Sequence, residues 1–272
     1  MNVAAAVGEE ALARGAGGAM LYDASSLHHP DTAVFDPAHW QAQGALETTR
    51  GGRGTVAFVR ASQDQHWVLR HYRRGGLIAH LADDLYVWTG ADRTRSFREW
   101  RLLRQLRAWG LPVPTPVAAR YRRAGPFYRA DLITEELPVR RTLAQVLQQA
   151  SLPDETWHAI GQCVGSLHAR GVQHADLNAH NLLVGADNDI YVLDFDRGRI
   201  RARGEWERVV LARLRRSLLK VTTGLPAERF TVADGIESIL GRLRDRPRMA
   251  VSYTHLRAHE TPEHLVCRPL LE

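Results

Sequence analysis

His174-Ala175-Asp176-Leu177-Asn178-Ala179-His180-Asn181, followed thirteen residues after Asn181 by Asp194 in Leu193-Asp194-Phe195-Asp196, is the stretch whose reading decides the fold. It has the form H-x-D-L-x-x-x-N and then an Asp-Phe pair at the end of a short apolar run. Phosphoryl transfer needs this set of groups: one carboxylate to accept the attacking hydroxyl's proton, and a carboxamide with a second carboxylate to hold a divalent cation against a triphosphate. Asp176, Asn181 and Asp194 supply those three types. Two apolar segments, Asn181 to Val184 and Ile190 to Leu193, are joined by the turn Gly185 to Asp189, so a tight hairpin would bring the two metal ligands together. An acidic turn beside a helix cap would account for one or two of these residues, but not for their order and spacing.

Composition narrows the chemistry further. The 272 residues carry 36 Lys+Arg, of which only Lys220 is lysine. Lys220 sits in L-L-K-V-T with no glycine loop before it, which argues against a P-loop and against Schiff-base catalysis. Any phosphates bound here are to be met by arginine, backbone N–H groups, metal or a helix N-terminus. The net charge of +6 points to an anionic partner. No run approaches the roughly 18 apolar residues of a membrane span, and Met1 to Gly18 lacks the pattern of a signal peptide, so a cytoplasmic location is expected. Cys163 and Cys267 are too few to form a disulfide framework or a zinc site.

Outward from the motif, the chain divides near Glu135 to Pro138. Before that point, residues 45 to 72 read as three strands of an antiparallel meander. Thr94 to Trp109 reads as a helix with Phe97, Trp100, Leu103 and Leu106 on one face, ending at Gly110. Val117 to Tyr121 and Tyr128 to Thr134 read as two further strands. Beyond the boundary the pattern is helical over Thr142 to Gln149, Asp154 to Ala169, Gly204 to Val221 and Val232 to Leu243. Residues 1–20 are expected to be disordered.

The motif resembles the catalytic and metal loops of the protein kinase superfamily. The resemblance implies an α+β, protein-kinase-like two-lobed fold. A small antiparallel β N-lobe with one helix would span 21–136, and a compact, mostly helical C-lobe 137–250. It implies ATP and Mg²⁺ as cofactors, Asp176 as catalytic base, and Asn181 and Asp194 as metal ligands. Thr49 to Thr55 looks like the glycine-rich loop, with Gly51, Gly52 and Gly54 over the phosphates, and Glu135 at the lobe boundary joins the nucleotide-contacting residues. Glu99 takes the place of the helix glutamate that pairs with a strand-three lysine. Here that lysine is Arg70, whose planar fork is expected to clamp phosphate and Glu99 more rigidly. His174 is expected to buttress the loop as a hydrogen-bonded core residue. Two further departures are Asn178, where protein kinases carry a loop lysine, and Asp196, where they carry the D-F-G glycine. The second argues against a flipping metal loop.

Within the superfamily, W-V-L-R-H-Y-R-R-G-G (67–76), F-R-E-W-R-L-L (97–103), G-L-P-V-P-T-P (110–116), H-A-D-L-N-A-H-N (174–181) and D-F-D-R-G-R (194–199) are similar to the lipopolysaccharide core kinases, on the branch that acts on 3-deoxy-D-manno-octulosonic acid (Kdo). That resemblance implies ATP-dependent phosphorylation of the Kdo 4-hydroxyl on Kdo-lipid A, by a peripheral protein on the cytoplasmic face of the inner membrane. The short chain after Asp194 has no A-P-E-like element, which agrees with an acceptor smaller than a protein. The Arg-rich segment 197–220 is expected to face an anionic membrane surface. Nucleic acid is not expected, because no aromatic residues interleave with the arginines. The alternatives are a heptose kinase of the same pathway, a small protein serine kinase, a nucleotide-binding pseudokinase, and a metal hydrolase using His174, Asp176 and His180. Residues 251–272 resemble a translated sequencing-adapter fragment and are set apart from function.

Overall fold

The computed structural model describes residues 8–50, 56–73 and 84–224. Successive side chains of a strand point to opposite faces, and this alternation builds the N-terminal half. In β4 (Val56–Arg60) and β5 (His66–His71), Ala57, Val59, Trp67 and Leu69 are buried on one face. Val56, Phe58, Val68 and Arg70 turn to the other, where a cleft opens. β8 (Phe127–Glu135) pairs with β5 so that Thr134 lies opposite Val68 and Leu132 opposite Arg70, which puts the cleft-facing residues of three strands side by side.

β1 (Glu10–Gly15), β2 (Gly18–Asp23), β3 (Leu46–Arg50), β6 (Tyr86–Val87) and β7 (Pro116–Ala124) complete an antiparallel sheet of eight strands. Its order is β1-β2-β7-β8-β5-β4-β3, with β6 beside β8. The N-terminal hairpin corrects the expectation of disorder over the described part of that segment, residues 8–20, and adds strands beyond the five expected. From Glu10 the chain is a strand, it turns at Gly17 with φ 82°, and β2 buries Met20 and Leu21. Ala19, Met20 and Leu21 are buried in succession, Ala19 and Leu21 in one hydrophobic cluster and Met20 in the other, so β2 is covered on both faces and shows no alternation to read. Pairing with β7 carries it into the sheet.

One face of the sheet is covered by a 3-10 turn (Thr32–Phe35) and α1 (Pro37–Ala42), whose Asp36 cap accepts from the Ala38 N–H at 2.9 Å. Trp40 stacks edge-on against Trp67 with centroids 5.8 Å apart. The other face carries α2 (Arg95–Ala108), which buries Phe97, Trp100, Leu103 and Leu106 at the spacing read from the sequence. Each such side chain contributes about 1.5–3 kcal/mol of burial free energy. Gly110, at φ 70°, turns the chain into Leu111 to Pro116.

After Glu135 the chain crosses to a helical half. A capping box between Thr142 and Gln145 starts α3 (Leu143–Gln149). α4 (Asp154–Ala169), opened by acidic residues in its first turn, buries Ile160, Val164 and Leu167, and Gly171 at φ 70° ends it. Two short ladders follow: β9 (Val172–Gln173) with β12 (Arg199–Ile200), and β10 (Leu182–Val184) with β11 (Ile190–Val192). α5 (Trp206–Thr222) seats Trp206, Val210, Leu214 and Leu218 in the core. The two halves share one hydrophobic cluster, and the Val192 N–H donates to the Pro112 carbonyl at 3.0 Å. The mixed α+β, two-lobed arrangement expected from the motif is the one observed. The helix expected over Val232 to Leu243, the glycine loop at Gly51, Gly52 and Gly54, and the tail 251–272 lie outside the described residues.

Candidate active site

The β10–β11 hairpin places Leu182 opposite Val192, so Asn181 and Leu193 meet at its open end, where the Leu193 N–H donates to the Asn181 carbonyl at 2.9 Å. The catalytic-type loop between β9 and β10 thereby lies against the Asp194 loop. His174 ties them from behind. Its Nε2 donates to the Leu193 carbonyl at 2.8 Å while its Nδ1 accepts from the Asp176 N–H at 3.1 Å, and its ring packs edge-on to Phe195. Burial lowers its pKa, and both nitrogens are used in a neutral tautomer. It therefore has the expected buttress geometry, and these bonds leave it no role as a metal ligand.

Asn178 organises the loop locally: its amide donates to the Asp176 carbonyl at 2.9 Å and accepts from the His180 N–H at 2.8 Å. The Asn181 amide nitrogen also donates to the Asp176 carbonyl at 2.9 Å, which leaves its oxygen as the atom available to a cation. Asp194 sits at φ 60°, a left-handed conformation that aspartate tolerates better than most residues. Its carboxylate lines the same cleft as the Asn181 side chain. Two hard oxygen donors lining one end of the cleft suit Mg²⁺, which takes one or two protein carboxylates or amides and completes its shell with phosphate and water.

Arg70 connects the sheet to this loop. Its Nη1 donates to Asp194 Oδ1 at 2.5 Å, and its Nη2 donates to Tyr72 Oη at 3.1 Å and to Glu99 Oε2. The Tyr72 hydroxyl in turn donates to Glu99 at 2.6 Å. Burial opposes the guanidinium charge, but Glu99, with Asp194 beyond it, holds Arg70 above the ordinary arginine value. Arg70 thus pairs with the buried Glu99 of α2, as the resemblance implies, and with a carboxylate of the metal loop as well. Tyr72 was not singled out from the sequence. Its position two residues after Arg70, just past the end of β5 where its N–H still donates to the Ala130 carbonyl at 3.1 Å, continues the strand's alternation, and that is the signal that could have found it.

Asp196, in the place of a glycine, does not adopt a positive φ; Asp194 and Arg197 do. Its carboxylate accepts from Arg95 Nε at 2.8 Å and pairs with that arginine's other end, binding the loop to the first turn of α2. Gly198 is required by close approach: a Cβ there would lie 2.7 Å from Leu102 Cδ2 and 2.8 Å from the Phe195 carbonyl.

The cleft itself has a volume of about 310 Å³. Val56, Phe58 and Val68 roof it, Leu183 and Leu193 floor it, and the chain from Glu135 to Leu137 runs along its inner edge. An apolar slot closed at one end by Arg70, Asn181 and Asp194 can hold a planar heterocycle with its phosphates toward the charged end.

Asp176 lies on the far side of the Asn181 wall, half exposed, and the sequence did not reveal its partner. Arg213 of α5 donates to Asp176 Oδ1 from Nε at 2.6 Å and approaches the same oxygen with Nη2 at 2.5 Å, so the pair centres on Oδ1. Other arginines of the 197–220 segment pair locally instead, Arg203 with Glu207 and Arg208 with Glu205.

Comparison with known proteins finds relatives over most of the chain. The family model described as "Lipopolysaccharide kinase (Kdo/WaaP) family" matches residues 37–237. The chain is 43% identical over 199 residues to the 3-deoxy-D-manno-octulosonic acid kinase of Photobacterium profundum, covering 73% of this chain and 84% of that protein. It is 45% identical over 205 residues to the protein of that name from Xylella fastidiosa (strain 9a5c), covering 75% and 81%. With that of Vibrio cholerae serotype O1 it shares 39% over 199 residues, covering 73% and 84%.

Proposed function

The chain belongs to the lipopolysaccharide kinase (Kdo/WaaP) family, and from that premise we propose that it transfers the γ-phosphoryl group of ATP to the 4-hydroxyl of a Kdo residue on Kdo-lipid A. It is a phosphotransferase with a hydroxyl acceptor, acting in lipopolysaccharide inner-core synthesis. The observation that carries the residue assignments is the wall formed by Asp176 and Asn181. It presents a carboxylate to one cavity, while Asn181, Asp194 and Arg70 line the other.

In this reading Asp176 accepts the acceptor hydroxyl's proton at Oδ2, with Oδ1 held by Arg213. Asn181 and Asp194 hold Mg²⁺, which when bound supplies positive charge to the phosphates. Arg70, anchored by Glu99 and Tyr72, lies beside Asp194 at the phosphate end of the cleft. Gly51, Gly52 and Gly54 cover the phosphates, and Glu135 with its neighbours contacts the base at the inner edge. His174 moves no proton in this scheme, since its hydrogen bonds hold the two loops together.

Among the described residues no helix is long and apolar enough to cross a membrane. The proposed location is peripheral, on the cytoplasmic face of the inner membrane. The exposed Ile200 between Arg199 and Arg201 supports that contact, since it combines an apolar side chain with cations suited to anionic lipid.

The test is mass spectrometry of Kdo-lipid A after incubation with ATP, Mg²⁺ and the protein, beside heptosylated lipid and a generic protein acceptor. One added phosphate on the Kdo 4-hydroxyl is the expected result. Phosphate on heptose or protein alone would replace this acceptor, and no transfer to any acceptor would make the chain a nucleotide-binding scaffold.

A further inference from the structure

A second, open basin of about 660 Å³ lies across the catalytic-type loop from the nucleotide cleft. Asp176, Asn178 and His180 form its loop side, and Arg213, Arg216 and Lys220 its α5 side. Those three cations recur at intervals of three and four residues, so they stand on one face of the helix. The opposite stripe, Val210, Leu214 and Leu218, is buried and seats α5 in the core. Register with the loop is set by Ser217, whose Oγ accepts the Ala179 N–H at 3.1 Å between Arg213 and Lys220. The cations are therefore placed by the fold rather than free to drift over a solvated surface.

Charge bookkeeping over the basin leaves an excess. Arg213 is matched by Asp176, whereas Arg216 and Lys220 form no ion pair or hydrogen bond among the described residues. A hydroxyl acceptor must come within about 2.6–3.2 Å of the base that takes its proton, so whatever fills this basin beside Asp176 is the acceptor. A neutral sugar or a serine side chain would leave both cations unmatched. An acid sugar supplies the missing anion, and the volume suits a saccharide better than one amino-acid side chain.

Resting on the Kdo reading above, we propose that this basin is the acceptor site, with Arg216 and Lys220 binding the carboxylate of the acceptor sugar. The carboxylate contact orients the sugar ring, so that one of several similar hydroxyls reaches Oδ2.

The experiment compares wild type, Arg216→Ala/Lys220→Ala and the milder Arg216→Gln on two acceptors, Kdo-lipid A and its Kdo carboxyl methyl ester, with unchanged thermal midpoints as the check on folding. For the double variant the acceptor KM should rise about 30-fold or more, on the scale of lost charge-assisted hydrogen bonds, with the KM for ATP within about twofold. Wild type should prefer the free acid by a similar factor, and the double variant should barely distinguish acid from ester; Arg216→Gln should fall between. A variant that keeps the wild-type preference for the acid overturns the assignment. So does an equal rise in KM for acid and ester, which would place the two cations on a lipid phosphate. Failure of wild type on both acceptors would instead remove the Kdo reading, and the basin assignment with it.

Discussion

Replacing Arg70 by lysine tests whether the guanidinium fork matters or any cation would serve. Arg70 spans three partners at once: Asp194 at 2.5 Å from Nη1, and Glu99 and Tyr72 from Nη2. Its carbon also stacks 4.7 Å from the Tyr72 ring centroid. A lysine has a single nitrogen at the end of a flexible stem, so it can keep Glu99 or approach Asp194 but cannot reproduce the fork. One charge-assisted hydrogen bond is lost, about 1.5–3 kcal/mol. At 1.36 kcal/mol for each tenfold change, kcat/KM for ATP should fall by about 10- to 150-fold. The thermal midpoint should fall by roughly 3–10 °C for a chain of this size, because Glu99 stays buried with a poorer partner. Initial rates across ATP concentrations at saturating acceptor, with nucleotide affinity from calorimetry, separate binding from turnover. Kinetic constants within twofold of the parent, at an unchanged midpoint, would refute the reasoning and make the arginine a tolerated substitute.

Asp176→Ala should lower turnover by at least ~100-fold, the usual scale for a positioned general base, with ATP affinity retained; substantial remaining turnover would reject Asp176 as the base. His174→Ala removes the partner of the part-buried Leu193 carbonyl and of the Asp176 N–H, at roughly 1–3 kcal/mol in all, and a urea titration showing a loss below about 0.5 kcal/mol would contradict the buttress role. His168 is buried beside Trp206 with neither ring nitrogen hydrogen-bonded, and burial pushes its pKa down to about 4. Its unfolded value is near 6.5, so the unfolded chain takes up the proton first. Stability is full above pH 6.5 and declines as pH falls toward 4, by at most roughly 3 kcal/mol from this group. His168→Leu should therefore flatten the stability profile over that window relative to the parent, and parallel profiles would disprove the cause.

The residues to which we assign the chemistry were readable because they stand close together in the chain. Asp176 and Asn181 share one loop, and the hairpin turn that brings Asp194 to them is encoded by a run of small and polar residues. α4 begins and ends as its punctuation says, at Asp154 and Ala169, since capping and apolar periodicity are local properties. The hairpin of β1 and β2 was not readable, because β2 is buried on both faces and so lacks the alternation that marks a half-exposed strand. β9 and β12 are two residues each, too short for any periodicity.

The arginines divide along the same line. That arginine replaces lysine at position 70, and that a cation is missing at Asn178, follow from the order of residues alone. That Arg70 reaches Asp194 as well as Glu99, and that Arg213 stands on Asp176 from 37 positions away, was decided by packing. A turn of helix shifts a side chain by about 5 Å along the axis, more than the reach of a hydrogen bond. Only the seating of α5 on Val210, Leu214 and Leu218, and of α2 on the sheet, determines which charge meets which carboxylate.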